Sequence, residues 1–283
     1  MKPLFILFLN LGLLTHLLGQ GIITSPGGTS AFPRKADNVT ALVGAFADEV
    51  ELLRSQIQDR QDREIEGLQF STGTLDGRPV VLVRAGIGKV NAAMTTTLLL
   101  EHFRPREVVF TGIAGGMNPA LQPGDLVIGT RLVHHDFGRQ MPQGFVRRPT
   151  QNPYTFAENP VFFPSDSDLV RLASAVADTL RLELVNDRRK PRVAAGVIVT
   201  GDVFMASTTH NRQIRAETGG EAVEMEGAAV AQLCHQQGVP VLVIRSLSDS
   251  GDDAAVGDIQ RFYQLAARNS AALVRAVVGR LPK

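Results

Sequence analysis

Apolar runs and amphipathic segments alternate along most of the chain, as they do in proteins built from strands and helices in turn. An apolar strand that ends at Gly44 is followed by a helical pattern from Ala47. Two further strands, 70–75 and 78–84, flank Asp76-Gly77, a dipeptide that supplies the positive φ angles of a tight hairpin turn. This opening predicts a sheet with helices packed against it.

The rest of the chain continues the alternation and predicts an α/β fold in one domain over residues 38–283. Strands are predicted from near residues 107, 124, 192 and 239, and helices over 92–102, 168–180 and 259–278 and in the stretch 222–237. The segment 134–164 contains five prolines and has no clear period. Because it is too long for a simple connector, we expect it to cover a site or to contact a partner subunit.

Charged residues interrupt the most apolar part of this pattern. Glu224 and Glu226 stand where the helix of residues 222–237 begins, and Arg245 and Asp249 follow the apolar strand 239–244. That edge of an α/β sheet is where ligands usually bind. Glu226 could merely favour the helix dipole, and Asp249 could merely cap a turn. The four charges beside apolar runs favour a functional site.

Composition narrows the class of ligand. The chain has 283 residues, of which 44% are hydrophobic and 20% charged, enough for one large core. Its net charge of +1 provides no basic field for nucleic acid, so we expect a small-molecule ligand. Cys234 is the only cysteine, which excludes an intramolecular disulfide, and its place on an apolar helix face predicts a core residue.

The N-terminus has the pattern of a secretory signal. Lys2 precedes a mainly apolar stretch from Leu4 to Leu18, and small residues follow it. The stretch is shorter than the ~20 apolar residues that a membrane span needs, so an uncleaved anchor is the weaker alternative. We expect a signal peptide over 1–20, a flexible lead-in over 21–37, export of the mature protein and no stable membrane span.

Seven motifs resemble those of the purine and uridine phosphorylase superfamily, and most closely the 5'-methylthioadenosine/S-adenosylhomocysteine nucleosidases within it. They occupy residues 44–53, 86–93, 111–116, 124–128, 200–204, 223–229 and 245–249. Since they occur in the family's order, together they are far more specific than any single motif. The resemblance implies an α/β fold with a central twisted mixed β-sheet flanked by helices, usually a homodimer, that hydrolyses the N-glycosidic bond of an adenine nucleoside.

The resemblance also implies the catalytic roles of three acidic residues. Glu49 matches the residue that activates water, Glu226 the residue that binds the ribose hydroxyls, and Asp249 the acid that protonates adenine N7. Cleavage builds positive charge on the ribose and negative charge on the purine, so an acid and a water-activating carboxylate are both needed. Burial at a strand end would raise the pKa of Asp249 enough for it to donate a proton at neutral pH.

Further positions match substrate-binding residues of the family. Phe204 matches the ring that stacks on adenine, and its backbone, with that of Met205, matches the segment that binds the adenine edge. Met225 would lie under the ribose, and Phe46 stands where the family often has Met. Core packing is the alternative for Phe204 and Met225. The remaining predicted substrate-binding residues are Gly115, Glu224, Arg245 and Ser248.

Two departures from the family bear on the nucleophile. Ala85 stands where the nucleosidases often have a Ser near the ribose, and Phe110 stands where the phosphorylases have a phosphate-binding Arg. A phosphate without that guanidinium is poorly held, which favours water. Lys89 and Arg84 could still bind an anion, so phosphorolysis remains an alternative.

A non-catalytic nucleoside-binding or storage protein on the same scaffold is the alternative from another class. The presence of all three acids favours catalysis. We expect no cofactor and no metal, because His134, His135 and Asp136 lack further ligands in a metal-binding pattern.

Overall fold

The computed structural model describes residues 36–282. The predicted signal peptide and the lead-in as far as residue 35 lie outside these residues. The strands are β1 (Thr40–Gly44), β2 (Gln58–Ile65), β3 (Leu68–Leu75), β4 (Arg78–Arg84), β5 (Glu107–Gly116), β6 (Leu126–His134), β7 (Gly138–Met141), β8 (Gly144–Arg147), β9 (Phe162–Pro164), β10 (Val193–Thr200), β11 (Gly220–Glu224) and β12 (Val241–Asp249). The helices are α1 (Ala47–Arg54), α2 (Lys89–Phe103), α3 (Ser167–Thr179), α4 (Thr208–Thr218), α5 (Gly227–Gln237) and α6 (Ala255–Val278).

Ten strands form one mixed sheet in the order β11-β10-β6-β12-β5-β1-β4-β3-β2, with β9 beside β6. The central pairs of β1 with β4 and β5, and of β5 with β12, are parallel, whereas β2, β3 and β4 form an antiparallel meander. Ala222 and Val223 of β11 also pair with Gly116 and Gly115 of β5, which closes five strands into a ring. The predicted α/β class and mixed sheet are confirmed.

Helices cover both faces of the sheet because its central strands are apolar on both. In β1, Ala41 and Val43 pack in the cluster that contains α2 and α5, while Leu42 packs in the cluster that contains α1, α3 and α6. Successive side chains of a strand point to opposite faces, so the two clusters lie on opposite sides of the sheet. Because both faces of the sheet are covered by apolar side chains, polar groups can lie together only at the ends of the strands.

The predicted hairpin is confirmed. Asp76 and Gly77 have φ angles of 49° and 76° between β3 and β4, which pair antiparallel from Phe70–Val83 to Leu75–Arg78. Positive φ at both central positions matches the twist of the strands, and this is why the Asp-Gly dipeptide predicts the turn.

One boundary prediction is wrong. Residues 222–224 belong to β11, and α5 begins only at Gly227, with Glu226 as its N-cap residue. Ala222 and Val223 are extended because each pairs with strands on two sides, β10 and β5. The spacing of apolar residues along the sequence gives no information about strand partners that are distant in sequence.

Five elements have no counterpart in the sequence prediction: β2, α4 and the short strands β7, β8 and β9. The first seven residues of β2 are exposed, so its sequence shows no apolar alternation. The segment 134–164 contains a separate two-stranded sheet of β7 and β8. Within residues 36–282, no helix is both long enough and apolar enough to cross a membrane.

Candidate active site

An open cleft lies where the ring of strands closes, at the C-terminal residues of β5, β11 and β12. Nine of the eleven predicted site residues line it: Phe46, Gly115, Phe204, Met205, Glu224, Met225, Glu226, Ser248 and Asp249. The other two, Glu49 and Arg245, are fully buried behind its wall. No residue of 134–164 lines the cleft within this chain.

Glu49 is buried in the first turn of α1, and three backbone N–H groups hold its carboxylate. Its Oε2 accepts from Ala45 at 3.0 Å and Phe46 at 3.2 Å, and its Oε1 accepts from Ile113 of β5 at 3.1 Å. Burial raises the pKa of Glu49 to about 7, although Arg245 and the three N–H groups oppose the rise. A carboxylate with such a pKa can accept a proton near neutral pH.

Arg245 is the largest fully buried side chain among the described residues. Its guanidinium carbon lies 4.0 Å from the centre of the Phe110 ring, as in a cation–π contact. Its Nη2 donates to Glu224 Oε2 at 2.5 Å and lies 3.7 Å from Glu226 Oε2. A side chain at Gly112 would collide with the guanidinium, so the glycine makes room for this cation. Phe110, which stands where the phosphorylases have an Arg, therefore packs against an arginine of β12.

Glu224 holds Arg245 and the start of α5 in place. Its Oε2 also accepts from the backbone N–H groups of Glu226 at 3.2 Å and Gly227 at 2.7 Å, and its Oε1 accepts from the Thr200 hydroxyl. Protein donors thus engage both oxygens. That Glu224 or Arg245 contacts substrate stays a prediction, because in this structure the two residues contact each other.

Glu226 faces the cleft from the N-cap position of α5. Its Oε1 accepts from the Gly88 backbone N–H at 2.8 Å, and its Oε2 is on the side of Arg245. Burial raises the pKa of Glu226 to about 7, and the neighbouring Glu224 carboxylate adds to the rise. The cleft therefore has a carboxylate with one oxygen fixed by Gly88.

Asp249 ends β12 beside Gly115. Its Oδ1 accepts from the Gly251 N–H at 2.7 Å, and its Oδ2 accepts from the Ser248 hydroxyl at 2.8 Å. A Cβ at Gly115 would lie 2.8 Å from Oδ1, so only glycine admits this approach. Burial raises the pKa of Asp249, although Ser248 and Gly251 lower it. The net shift is upward, the direction that a proton donor requires.

The two acids meet the same short segment of β5. Glu49 is bonded to the backbone at Ile113, and Asp249 packs against Gly115, two residues further along. Two residues of strand span about 7 Å. Ile113, Ala114 and Gly115 all line the cleft, so a molecule lying along this segment would have one carboxyl group near each end.

The segment after β10 brings an aromatic ring to the cleft. Phe204 is 45% exposed, so it is not a core residue, whereas Met205 is 5% exposed and packs in a small core cluster. Phe46 lines the cleft and contacts the Tyr263 ring edge-to-face, with 5.7 Å between centroids. Core packing was the alternative for Phe204 and Met225. The exposure of Phe204 leaves its ring free to stack on a ligand.

Several lining residues were missed by sequence reasoning. They are Ile113, Ala114, Val203, Val223 and Ile259. Four of them lie within the family motifs 111–116, 200–204 and 223–229, which is the signal that could have found them. Ile259 lies in an amphipathic helical pattern outside those motifs, and nothing in the sequence distinguishes it from core. Among residues 36–282, no three His, Cys, Asp or Glu side chains are grouped so that they could hold a metal ion. That the protein needs no metal stays a prediction.

Comparison with known proteins agrees with this geometry. The sequence profile of the phosphorylase superfamily matches residues 39–279. A 5'-methylthioadenosine/S-adenosylhomocysteine nucleosidase of Anoxybacillus flavithermus is 40% identical over 247 residues, covering 86% of this chain and 99% of the relative.

Two solved structures of nucleosidases with that name superpose on the fold. The enzyme from Neisseria meningitidis, in complex with methylthio-immucillin-A, has a TM-score of 0.75 and 36% identity over 86% of this chain and 100% of its own. The enzyme from Colwellia psychrerythraea, in complex with adenine, has a TM-score of 0.73 and 34% identity over 86% of this chain and 95% of its own. The chain therefore belongs to the phosphorylase superfamily and, within it, to the family of the 5'-methylthioadenosine/S-adenosylhomocysteine nucleosidases.

Proposed function

We propose that this protein hydrolyses the N-glycosidic bond of adenine nucleosides of the 5'-methylthioadenosine and S-adenosylhomocysteine type, releasing adenine and the ribose moiety. The observation that carries the proposal is the placement of Glu49 and Asp249 at the two ends of the Ile113–Gly115 segment. The names of the relatives support the substrate class.

The chemistry divides between the two ends of the cleft. As the bond between C1' and N9 breaks, its electron pair passes to the purine, and protonated Asp249 gives its proton to N7. The ribose is left with oxocarbenium character, and water adds to C1' while ionised Glu49 takes its proton. Glu226, fixed by Gly88, binds the ribose hydroxyls, and Phe204 stacks on the base.

Charge near Glu49 favours water over phosphate as the nucleophile. Arg245 is already shared by Glu224 and Glu226, so this buried group carries more negative than positive charge when all the acids are ionised. A phosphate dianion would add repulsion that one paired guanidinium cannot offset. Of the two residues that could bind an anion in the alternative reaction, Lys89 is paired with Asp136 at 2.6 Å and Arg84 is exposed at the end of β4.

The reaction type is tested by incubating the purified protein with methylthioadenosine, adenosylhomocysteine and adenosine, with and without phosphate. We expect free adenine at the same rate in both conditions and a free sugar as co-product. Strict dependence on phosphate, with a sugar 1-phosphate as product, would establish phosphorolysis instead. Adenine binding without any product would establish the non-catalytic alternative.

Replacement of Asp249 by Asn tests the proton donor. We expect kcat to fall by ~10² to 10⁴, because the amide keeps the shape of the side chain but cannot supply the proton. Adenine binding, measured by calorimetry, should change little. Asp252→Asn makes the same replacement three residues on and should retain activity within about threefold; near-normal turnover of Asp249→Asn would refute the assignment.

The pH profile follows from the shifted acids. The pKa of Glu49 is raised to about 7, so kcat/KM should fall as the pH drops through that value and the base becomes protonated. Glu226, with its pKa also raised to about 7, should steepen this limb. On the alkaline side, activity should decline as Asp249 loses its proton. A flat profile between pH 5 and 8 would contradict the role of Glu49 as the base.

We further propose that the protein is a homodimer. Ile87, Val90 and Met94 are 49%, 78% and 50% exposed, an apolar strip at the start of α2, and Phe137 and Met141 are exposed in the 134–164 segment. Lys89 links the two regions through Asp136. Exposed apolar surface of this kind favours a protein partner.

Light scattering of the purified protein should give twice the mass of one chain, and Val90→Glu should give a monomer. A monomeric wild-type protein would contradict the proposal.

Export is the last part of the proposal, and it is supported by the leader sequence alone. Removal of residues 1–20 would place the enzyme where it could salvage external nucleosides. N-terminal sequencing of the protein from its native source should begin near residue 21. An intact Met1 would exclude cleavage.

A further inference from the structure

Three loops are joined at the N-terminus of α2 by a closed set of hydrogen bonds. Lys89 Nζ donates to Asp136 Oδ1 at 2.6 Å, and Asp136 Oδ2 accepts from the backbone N–H of Asp202 at 2.9 Å. Asp202 Oδ1 accepts in turn from the backbone N–H of Lys89 at 2.7 Å. The loops follow β4, β6 and β10, so the set joins strands that are far apart in sequence.

The contact between Lys89 and Asp136 is more shielded than an ordinary surface ion pair, whereas the two bonds made by Asp202 are exposed. The side chains of Lys89 and Asp136 are only 20% and 24% exposed. Burial by itself would raise the pKa of Asp136, but the bonds from Lys89 and from the Asp202 N–H outweigh it and hold the pKa below its usual value. Charge-assisted bonds that are shielded from water are less weakened by solvent than exposed ones.

The set adjoins the cleft on two sides. Gly88, next to Lys89 in sequence, donates its N–H to Glu226 Oε1 at 2.8 Å. Asp202 directly precedes residues 203–205, which line the cleft. Gly88 has φ +92°, and a Cβ there would lie 3.1 Å from Asp202 Oδ1, so this loop approaches Asp202 closely.

The N-terminus of α2 depends on carboxylates from these other loops. Its first turn has no acidic residue, and its N-cap residue, Gly88, provides no side-chain cap. The N–H groups of Gly88 and Lys89 bond instead to Glu226 and Asp202. Unsatisfied N–H groups and the helix dipole favour anions at this position. A shift of the start of α2 would therefore also move the carboxylates of Glu226 and Asp202.

We propose that Lys89 is a positioning residue of the nucleosidase reaction. Through Asp136 and Asp202 it fixes the Gly88 N–H that orients Glu226, and it fixes the start of the 203–205 segment that faces the base. The kinetic consequence rests on the proposed function, whereas the positional consequence depends on the fold alone.

Kinetics of Lys89→Met test the effect on Glu226. The variant keeps the aliphatic stem and removes the charge, and we expect kcat/KM for the preferred nucleoside to fall about tenfold, the size typical of coupling within one network. Lys89→Arg should restore most of it. Lys190→Met, at an exposed lysine outside the site, should behave as wild type.

A double-mutant cycle separates positioning from a general structural role. In a Glu226→Ala background, which removes the acceptor of the Gly88 N–H, Lys89→Met should cost less than about threefold, because only its effect on residues 203–205 remains. A loss of activity that simply reflected less folded protein would be the same factor in both backgrounds. Equal factors would therefore overturn the proposal.

Hydrogen exchange in the substrate-free protein tests the positional part without reference to activity. In Lys89→Met, amides of 86–89 and 201–205 should lose protection, while those of β12 should not. If the wild type cleaves no nucleoside, the proposed function fails, yet this pattern would still support the positioning network. Unchanged protection in both loops would overturn the network whatever the activity.

Discussion

The buried guanidinium of Arg245 is the constraint around which the site is built. A charge removed from water is costly unless paired, and Arg245 is fully buried. Glu224 provides the close partner, and Glu226 and Glu49 lie within its field. Loss of one partner from such a group typically costs about 3–5 kcal/mol. The fold therefore depends on keeping these residues together, and Arg245 limits the rise that burial causes in the pKa of Glu49 and Glu226.

Within the described part of the chain, Arg245 has hydrogen-bond donors without acceptors, which is more typical of a functional site than of a hydrophobic core. Its Nε and Nη1 find no hydrogen-bond acceptor among the described residues, although Phe110 lies against its face. Unsatisfied buried donors lower stability, and proteins retain them chiefly where they serve a function. A hydrophobic pair of the same volume would fold as well or better, but it could not set the charge of the carboxylates that face the cleft.

Glycine in the middle of β5 allows these charged groups to reach the cleft wall. Gly112 leaves space for Arg245 and Gly115 leaves space for Asp249. Glycine in a strand normally weakens it, because it has no side chain to pack. Here the cost is offset by pairing with β12 from Val108 to Gly115, with β1 as far as Thr111 and with β11 at Gly115 and Gly116. The site thus sits where the sheet is most constrained.

The sequence by itself determined the α/β class and the hairpin at Asp76-Gly77 and named the three candidate acids, because each depends on local periodicity or on residue types in a fixed order. It placed Glu49, Glu226 and Asp249 in one site through resemblance alone, since they are up to 200 residues apart in sequence. Only the tertiary structure decided that Glu224 supports Arg245, that β11 is a strand, and that Ile259 lines the cleft. Those outcomes depend on pairing and packing between distant segments, which no local pattern of apolar and polar residues records.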